Sequence, residues 1–265
     1  MITARSRPTR VRGPDRSTVG IAVRVMDWER YWATQPKTVG ETEFHRQVGN
    51  TISGRTYADA EFGPIVSGLV GLLNLDATDI LLDLCCGNGY LTARLAPYCR
   101  RIVGVDFSPV LLDIARKYHQ PSNVTYQSGD VLALDVLPPS DGRFTKVLMN
   151  AALQHVRPRD FRTLLERIRR CCPAATVIVI ACVPDQERKW SFYDSPRRRL
   201  RYLAQLVRGS SPMGSWWRRG HIEATCRALG LTCTLSTSVD RPVAHYRFDI
   251  RITIPQGAGM GAGHT

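Results

Sequence analysis

The sequence predicts a doubly wound α/β fold with a mostly parallel sheet, and three observations lead to that prediction. Short apolar runs alternate with helical patterns from residue 80 to residue 183, which is the pattern of a doubly wound sheet. The run at 176–183 is almost wholly apolar, as a parallel strand covered by helices on both faces requires. Two further strands, near 231–238 and 244–253, are joined by about five residues, so that pair must run antiparallel.

The elements are predicted in order from their apolar spacing and their end signals. Residues 27–75 have a helical pattern, in which apolar residues such as Ile65 and Leu69 recur on one helix face. After the second strand, Ser108 is a favourable N-cap residue and Pro109 a favourable first helical residue. The expected strands are 80–84, 102–106, 124–127, 146–150 and 176–183, and the later helices include 90–96, 218–229 and the segments that start at Ser108 and carry Phe161.

The chain of 265 residues is long enough to bury one main core. Residues 1–25 hold six arginines against one acid, and residues 256–265 hold four glycines. We expect both segments to be disordered. Between them the pattern predicts a helical N-terminal cap over 26–78 and a main α/β domain over 79–255. Residues 184–217 are inserted after the fifth strand, and we expect them to form a lid.

Positive charge is concentrated in two parts of the chain. The formal net charge is +13, to which residues 1–25 contribute +5 and residues 185–219 contribute +6. A basic segment can bind nucleic acid, a membrane surface or an anionic substrate, or can be a solvated face. No apolar run approaches the roughly 18–20 residues that span a bilayer, and the start of the chain lacks a signal-peptide pattern. We therefore expect a cytoplasmic protein with no membrane partner.

The cysteines are arranged unlike a disulfide or metal framework. The chain has eight, including two pairs that are adjacent in sequence, and no Cys-x-x-Cys or cysteine and histidine ligand spacing occurs. Several lie in apolar runs, where cysteine packs as a small hydrophobic residue. We expect a reduced protein with no structural zinc and no other metal site.

A glycine loop between the first strand and its helix is the part of the sequence that says most about chemistry. The segment Asp83-Leu84-Cys85-Cys86-Gly87-Asn88-Gly89-Tyr90 lies where a cofactor-binding loop belongs, and glycine lets the backbone approach a ligand closely. Asp83 ends the first strand, Asp106 ends the second, and Asp130 follows the third. Asp106 is 19 residues past Gly87, where an acid can accept both ribose hydroxyls.

These residues resemble the class I S-adenosylmethionine-dependent methyltransferases, clearly over 79–183 and more weakly through the final antiparallel strands. The resemblance implies a Rossmann-like, mostly parallel seven-stranded sheet with an antiparallel C-terminal strand, and S-adenosyl-L-methionine as the cofactor. It also implies a set of binding residues. Asp83, Gly87 and Gly89 would line the methionine end, Asp106 and Phe107 would hold ribose and adenine, Asp130 and Val131 would hold the adenine edge, and Asn150 would close the site. The family often has glycine where this chain has Cys85.

A nicotinamide-dependent enzyme is the alternative within the same fold. Its loop needs a third glycine, but here the pattern Gly87-x-Gly89-x-x continues to Thr92. A dinucleotide also places a pyrophosphate on the helix N-terminus, where the carboxylate of Asp83 would repel it. The methyl donor has no phosphate, and its ammonium group would be attracted by this carboxylate. Asp83 therefore favours the methyl donor.

The expected reaction is methyl transfer to a hydroxyl group of a small molecule or glycan, which needs alignment of the acceptor and a general base. His155, just past the fourth strand, is the first candidate, because family members with hydroxylated substrates often carry a histidine near this position. His245 is the second, and His45 and Glu43 are weaker candidates. The two leading histidines could instead be structural, by packing at the rim of the sheet or by making a structural hydrogen bond.

The segment 184–217 is the expected source of acceptor specificity, because loops at the carboxyl ends of the strands frame the site. It combines aromatic residues, which stack on sugar faces, with arginines, which hold anions. The aromatic ones are Trp190, Phe192, Tyr193, Tyr202, Trp216 and Trp217. The short segments 214–217 and 244–249 are similar to those of bacterial methyltransferases that modify sugars, polysaccharides or other secondary metabolites.

A nucleic-acid methyltransferase is the alternative function, with Arg197-Arg198-Arg199-x-Arg201 and the N-terminal arm on phosphates. Against it, no RNA-binding module is evident. The stretch 150–153 also lacks the Asn/Asp-Pro-Pro-Tyr/Phe tetrapeptide that marks amino methylation of bases. A membrane-surface protein would need a strongly amphipathic helix, which the sequence does not predict. A small-molecule or glycan acceptor is therefore preferred.

Overall fold

The computed structural model of the protein describes residues 27–52, 54–134, 143–172, 176–208, 213–239 and 241–255. The two segments expected to be disordered, 1–25 and 256–265, lie outside the described residues. Within the described part, the chain forms a seven-stranded sheet, a separate two-stranded hairpin, and helices on both faces of the larger sheet.

The N-terminal region is more varied than its helical pattern predicted. It contains helix α1 (Trp28–Thr34), helix α2 (Phe44–Gln47), a hairpin of β1 (Thr51–Ile52) and β2 (Arg55–Thr56), and the long helix α3 (Asp59–Leu73). The helical pattern predicted over 27–75 is interrupted by the hairpin, where the paired residues are mostly β-branched. Gly54 has a φ of +83° between the two strands, a conformation that favours glycine and is incompatible with a continuing α-helix.

The larger sheet confirms the predicted fold class. Its strands are β3 (Ile80–Leu84), β4 (Arg101–Asp106), β5 (Val124–Ser128), β6 (Lys146–Asn150), β7 (Val177–Pro184), β8 (Thr232–Thr237) and β9 (Arg247–Thr253). They are arranged in the order β5-β4-β3-β6-β7-β9-β8. Strand β9 runs antiparallel to both of its neighbours, and the other adjacent pairs are parallel. The sheet is therefore mostly parallel with one antiparallel strand at the C-terminal end.

Helices cover both faces of this sheet. They are α4 (Tyr90–Leu95), α5 (Pro109–Tyr118), α6 (Phe161–Cys171), α7 (Lys189–Phe192), α8 (Pro196–Val207) and α9 (Arg219–Ala228). Apolar residues of α3, α4 and α5 form one core layer, and those of α6 and α9 form the other. Neighbouring residues of β3 face opposite layers, Leu81 towards the first and Leu82 towards the second, and both are fully buried. This explains why the central strands β3, β6 and β7 have mostly apolar sequences instead of alternating ones.

Strands β7 and β9 do not pair regularly along their whole length. Their register shifts between Ile180 and Val183, and the intervening Cys182 has a φ of +63°. Such irregularities bend a strand and redirect its side chains. This one lies near the carboxyl end of β7, on the edge of the sheet that carries the candidate site.

Candidate active site

A cavity of about 230 Å³ lies at the carboxyl ends of β3, β4 and β6. Seven of the eight residues predicted to bind the donor line it, namely Asp83, Gly87, Asp106, Phe107, Asp130, Val131 and Asn150. The eighth, Gly89, lies in the adjoining loop and begins α4 as its N-cap residue. The described lining includes three aspartates and no lysine or arginine. Its electrostatic field therefore favours a cationic ligand.

The glycine loop between β3 and α4 turns sharply because three of its residues have a positive φ. The angle is +58° at Cys85, +58° at Gly87 and +74° at Gly89, a region in which a side chain is strained and glycine is not. A Cβ on Gly89 would overlap the hydroxyl of Tyr126, and one on Gly87 would lie 2.9 Å from Cγ1 of Val48. Packing therefore demands glycine at both positions. Cys85 adopts the left-handed conformation despite its side chain.

The carboxylate of Asp106 joins the glycine loop to the end of β4. Its Oδ2 accepts a hydrogen bond from the N–H of Gly87 at 2.9 Å, and its Oδ1 accepts one from the N–H of Ser108 at 2.9 Å. Burial raises the pKa of Asp106 above its ordinary value, while these backbone hydrogen bonds act in the opposite direction. Each carboxylate oxygen can accept a further hydrogen bond, so the group can also bind two donors of a ligand.

Asp83 is a buried acid in the floor of the cavity. It is 2% exposed, and its Oδ2 accepts a hydrogen bond from Oγ1 of Thr92 at 2.6 Å. Burial raises the pKa of Asp83 to about 7, the hydrogen bond from Thr92 lowers it, and the charge of Asp106 raises it. Because a neighbouring cation favours the ionised form of a carboxyl group, this arrangement can bind a ligand ammonium group.

Asp130 and Asn150 line other parts of the cavity. Asp130 is exposed, and its Oδ1 accepts a hydrogen bond from the N–H of Leu132 at 2.9 Å, which caps the short 3₁₀ helix after β5. Asn150 is the last residue of β6, and its Oδ1 accepts a hydrogen bond from Nη1 of Arg241 at 3.1 Å. The fold thus brings residues that are distant in sequence to one cavity, and the binding role of each stays a prediction.

The N-terminal region covers the cavity and is attached to it by hydrogen bonds. Oγ of Ser108 donates to the carbonyl oxygen of Trp32, which lines the cavity, at 2.9 Å. Nδ2 of Asn88 donates to the carbonyl oxygen of Phe44 and to Oε1 of Gln47, each at 2.8 Å. Sequence reasoning missed this role of Asn88. The position of Asn88 between the two glycines of the loop could have indicated this role.

His155 lies in a short 3₁₀ helix after β6 and lines the cavity. Its ring centroid is 4.1 Å from that of Trp28 and 5.7 Å from that of Trp32. Nδ1 is buried and has no hydrogen-bond partner among the described residues. Burial and the charge of Arg247 lower the pKa of His155 to about 4, so the ring is neutral at pH 7. A neutral imidazole can accept a hydrogen bond or a proton through one ring nitrogen.

The other candidate bases do not line this cavity. His245 is exposed. His45 lies in a second pocket, where its Nε2 is 3.4 Å from Oδ1 of Asp59. Glu43 is exposed, and its Oε2 accepts a hydrogen bond from the N–H of Gly40 at 2.7 Å. Of the four candidates, His155 is therefore the one placed to act on a ligand in this cavity.

The described part of the predicted lid contains α7, α8 and a cluster of aromatic rings. The ring centroid of Phe192 is 4.8 Å from that of Tyr193, 5.9 Å from that of Trp216 and 4.9 Å from that of Tyr246. Phe192, Trp216 and the cavity residue Ala151 all pack against a buried cluster of Cys182, Val243 and Tyr246. Trp217 differs from the other predicted lid aromatics, because it is fully buried in the main core.

Helix α8 is more amphipathic than sequence reasoning predicted. Its arginines at 197, 198, 199 and 201 are exposed, and so are the apolar residues Leu200, Leu203 and Val207. Two of the arginines have local partners. Nη1 of Arg198 lies 3.2 Å from Oδ1 of Asp194, and Nε of Arg199 donates to a backbone carbonyl at 3.0 Å.

Three further findings concern the thiols, metal-binding groups and membrane-spanning helices. All eight cysteines are free thiols. In the described ranges, no group of three or more histidine, cysteine, aspartate or glutamate side chains is placed to hold a metal ion. No helix in the described part of the chain has both the length and the apolar character that crossing a membrane requires.

Comparison with known proteins gives a family and a relative. Residues 81–174 match the family model of a methyltransferase domain. An uncharacterised methyltransferase of Schizosaccharomyces pombe is 33% identical over 127 residues, which cover 47% of this chain and 48% of that protein. The chain thus spans about half the length of this curated relative.

Solved methyltransferase structures share the fold. The magnesium protoporphyrin IX methyltransferase ChlM of Synechocystis PCC 6803, determined with bound SAH, has a TM-score of 0.60 at 13% identity, covering 86% of this chain and 98% of that one. The DhpI-SAM-HEP complex has a TM-score of 0.55 at 18% identity, covering 84% and 94%. The sheet order, the glycine loop with its strand-end acids and the family match agree with this likeness. Residues 81–174 thus match a methyltransferase domain, and the fold of the chain is that of the solved S-adenosylmethionine-dependent methyltransferases.

Proposed function

We propose that this chain transfers a methyl group from S-adenosyl-L-methionine to a hydroxyl group of a small-molecule or glycan acceptor. The observation that carries the proposal is the cavity at the carboxyl ends of β3, β4 and β6, which three aspartates line without any described lysine or arginine. Such a cavity attracts a sulfonium and an ammonium group and repels a pyrophosphate. A methyl donor without phosphate therefore fits it, and a nicotinamide dinucleotide does not.

The donor would be held by side chains that follow three strands. Asp106 would accept the two ribose hydroxyls through the lone pairs that the N–H groups of Gly87 and Ser108 leave unused. Asp83 would pair with the ammonium group, because burial and the nearby charge of Asp106 leave its carboxyl group in need of a cation. Asp130 and Val131 would hold the adenine edge, and Phe107 would contact the ribose and adenine. Gly87 and Gly89 would shape the loop at the methionine end, and Asn150 would close the site.

His155 would take the proton that the acceptor hydroxyl loses. When bound, S-adenosylmethionine supplies an electrophilic methyl group, whose bond to sulfur breaks with both electrons left on sulfur. The acceptor proton becomes strongly acidic as the new carbon–oxygen bond forms, so a weak base is sufficient at that stage. His155 meets this need because its ring is neutral at pH 7, with a pKa of about 4, and its buried Nδ1 has no partner in the described chain.

A nucleic-acid acceptor is the competing proposal. The exposed arginines of α8 could contact phosphates. Tyr246 belongs to a buried cluster against which both Phe192 and the cavity residue Ala151 pack, and this apolar surrounding is instead suited to a compact acceptor with an apolar body. This contact with the cavity is the reason for preferring a small molecule or a glycan unit.

Calorimetry with S-adenosylhomocysteine tests the donor site, because this product keeps the ribose, the adenine and the ammonium group. We expect Asp106→Ala to weaken binding about tenfold or more, since hydrogen bonds to a charged group contribute roughly 1.5–3 kcal/mol. Asp113→Ala is the matched control, because Asp113 is exposed on α5 and pairs with Arg116 at 3.3 Å. Equal affinity in the wild type and in Asp106→Ala would refute the assignment of this site.

Label transfer from methyl-labelled donor into a cell extract tests the acceptor class and the base together. The label should appear in the small-molecule or glycan fraction, and His155→Ala should reduce it by roughly 10²–10⁴-fold, the usual contribution of a general base. Binding of S-adenosylhomocysteine to His155→Ala should be nearly unchanged. Label found mainly in RNA would favour the competing proposal, and undiminished labelling by His155→Ala would remove His155 as the base.

A further inference from the structure

Two arginines are buried next to the cavity, and no carboxylate in the described part of the chain pairs with them. Arg241 lies between β8 and β9, Arg247 is the first residue of β9, and each is 7% exposed. Neither forms an ion pair with any acid in the described part of the chain. Burying a charged group without a counter-charge is costly. An anion supplied from outside the chain would therefore stabilise both.

Several donors of these two arginines also have no acceptor. Nη1 of Arg241 donates to Oδ1 of Asn150 at 3.1 Å, but its buried Nε and Nη2 have no hydrogen-bond partner among the described residues. Nη1 of Arg247 donates to the carbonyl oxygen of Cys182 at 2.5 Å, while its buried Nε is likewise unpaired within the described chain. A buried donor without an acceptor lowers stability, so these groups are expected to serve a ligand.

The free donors of Arg241 form one edge of the guanidinium group. Nε and Nη2 point to the same side, and this is the edge that a carboxylate or a phosphate binds with two parallel hydrogen bonds. Elsewhere in the molecule, Arg219 uses the same two atoms for Oδ2 of Asp185, at 3.1 and 2.9 Å. Within the described ranges, no acid occupies this edge of Arg241.

The nearest acid along β9 is used for another purpose. Oδ1 of Asp249 accepts hydrogen bonds from the N–H of Cys182 at 2.7 Å and from Oγ of Ser238 at 3.0 Å, and its Oδ2 accepts one from the N–H of Val239 at 2.7 Å. These contacts hold the register shift of β7 in place. Asp249 therefore stabilises the backbone, and no other carboxylate among the described residues pairs with either arginine.

Both arginines are connected to residues that line the donor cavity. Asn150, the acceptor for Arg241, lines that cavity. Oε1 of Gln154 lies 3.4 Å from Nη1 of Arg247, and the next residue, His155, lines the cavity as well. The charge of Arg247 also lowers the pKa of His155. The two guanidinium groups thus lie behind the end of the cavity where the acceptor would meet the proposed base.

The surroundings of the two arginines are aromatic and apolar. Val243 and Tyr246 belong to a buried cluster, against which Met213 and Trp216 pack. Nε1 of Trp216 is a further buried donor that has no partner in the described chain. A ligand here would therefore meet N–H donors at one end and apolar walls along its body.

We propose that Arg241 and Arg247 hold an oxyanion of the methyl acceptor, so that the acceptor is an acid with an apolar or aromatic body. This inference rests on the proposed function, because it assigns the part of the acceptor that lies beyond the donor cavity. The carboxylate and the phosphate share the chemistry that a guanidinium edge recognises. Arg241 is the residue to test, since the bond of Arg247 to Cys182 also supports the irregular end of β7.

The test measures binding of small aromatic acids by calorimetry to the wild-type chain saturated with S-adenosylhomocysteine. Benzoate and phenyl phosphate carry the two oxyanions, and benzamide is a neutral control of similar shape. At least one of the acids should bind saturably to one site per chain, and benzamide should not. Arg241→Gln, which keeps a donor for Asn150, should weaken the binding of that acid about tenfold or more. Arg241→Lys, which keeps the charge and loses the two-donor edge, should weaken it less.

Arg170→Gln is the matched control, because Arg170 is exposed on α6. Acids that bind no better than benzamide, or that bind Arg241→Gln as well as the wild type, would overturn the proposal.

Thermal unfolding without ligand gives a second readout. Removal of an unpaired buried cation should leave the Tm of Arg241→Gln unchanged or raised, whereas a lowered Tm with unchanged acid binding would assign Arg241 to the fold alone. If the oxyanion proposal fails but S-adenosylhomocysteine still binds, the proposed donor site remains intact.

Discussion

The carboxyl group of Asp83 behaves unlike that of an exposed aspartate because it is buried at the end of a central strand. With a pKa of about 7, it is half protonated near neutral pH, and its ionised form lacks a described cationic partner. A ligand ammonium group would supply that partner and favour ionisation. The same burial that makes the residue unfavourable in the empty cavity thus makes it selective for a cation.

This pKa predicts that donor-site affinity depends on pH between 6 and 8. The pKa of Asp83 is about 7 in the free protein and should fall when an ammonium group binds, so binding releases a proton below pH 7 and weakens as the pH falls. Calorimetry should show S-adenosylhomocysteine binding about tenfold more weakly at pH 6 than at pH 8, in proportion to the ionised fraction. Asp83→Asn should bind more weakly than the wild type and with a flat pH profile. A wild-type profile that is flat over this range would contradict the role given to Asp83.

Cavity residues that belong to a local sequence motif were predictable. Residues whose contacts join distant positions of the chain were not. Asp83, Gly87 and Asp106 belong to a loop and strand ends whose order is visible in the chain, and all three line the cavity. Arg241 was missed as a site residue because its contact with Asn150 joins positions 91 residues apart. Nothing in its local sequence marks a buried cation.

At the scale of elements, the central strands β3, β6 and β7 were predictable because burial on both faces makes them short, mostly apolar runs. The hairpin β1–β2 was not, since strands of two residues leave no measurable period and depend on the turn at Gly54. The register shift of β7 was also unforeseen. Its cause is the buried acid Asp249, which accepts the N–H of Cys182 at 2.7 Å from the neighbouring strand.

Helix α8 shows where local patterns mislead. A helix of this composition is expected to bury its leucines, yet Leu200 is 70% exposed and Leu203 is 50% exposed. Trp217 shows the opposite difference: it was expected to lie in the lid, but it is fully buried in the core. In both cases the sequence shows that the residue is apolar, and the packing of the lid against the main domain decides which apolar residues are covered.

At the scale of the whole molecule, the position of the cavity follows from the order of the strands. Chain connections from β3 lead through α4 to β4 on one side, whereas β6 leads through α6 to β7 on the other. Helices α4 and α6 belong to opposite core layers, so a crevice opens between them at the carboxyl ends of β3 and β6. Ligand sites in doubly wound sheets lie at such reversal points. The alternation of strands and helices predicted this edge of the sheet, although the N-terminal cover contributed by Trp28 and Trp32 depends on the complete fold.

The central claim is that this crevice binds S-adenosylmethionine, and a crystal structure of the wild-type chain grown with saturating S-adenosylhomocysteine tests it most directly. We predict one nucleoside in the cavity, with both ribose hydroxyls within about 2.7–3.2 Å of the Asp106 carboxylate. The amino group of its amino-acid part should lie beside Asp83. A cavity without the nucleoside under those conditions, or a nucleoside bound with its ribose away from Asp106, would contradict it.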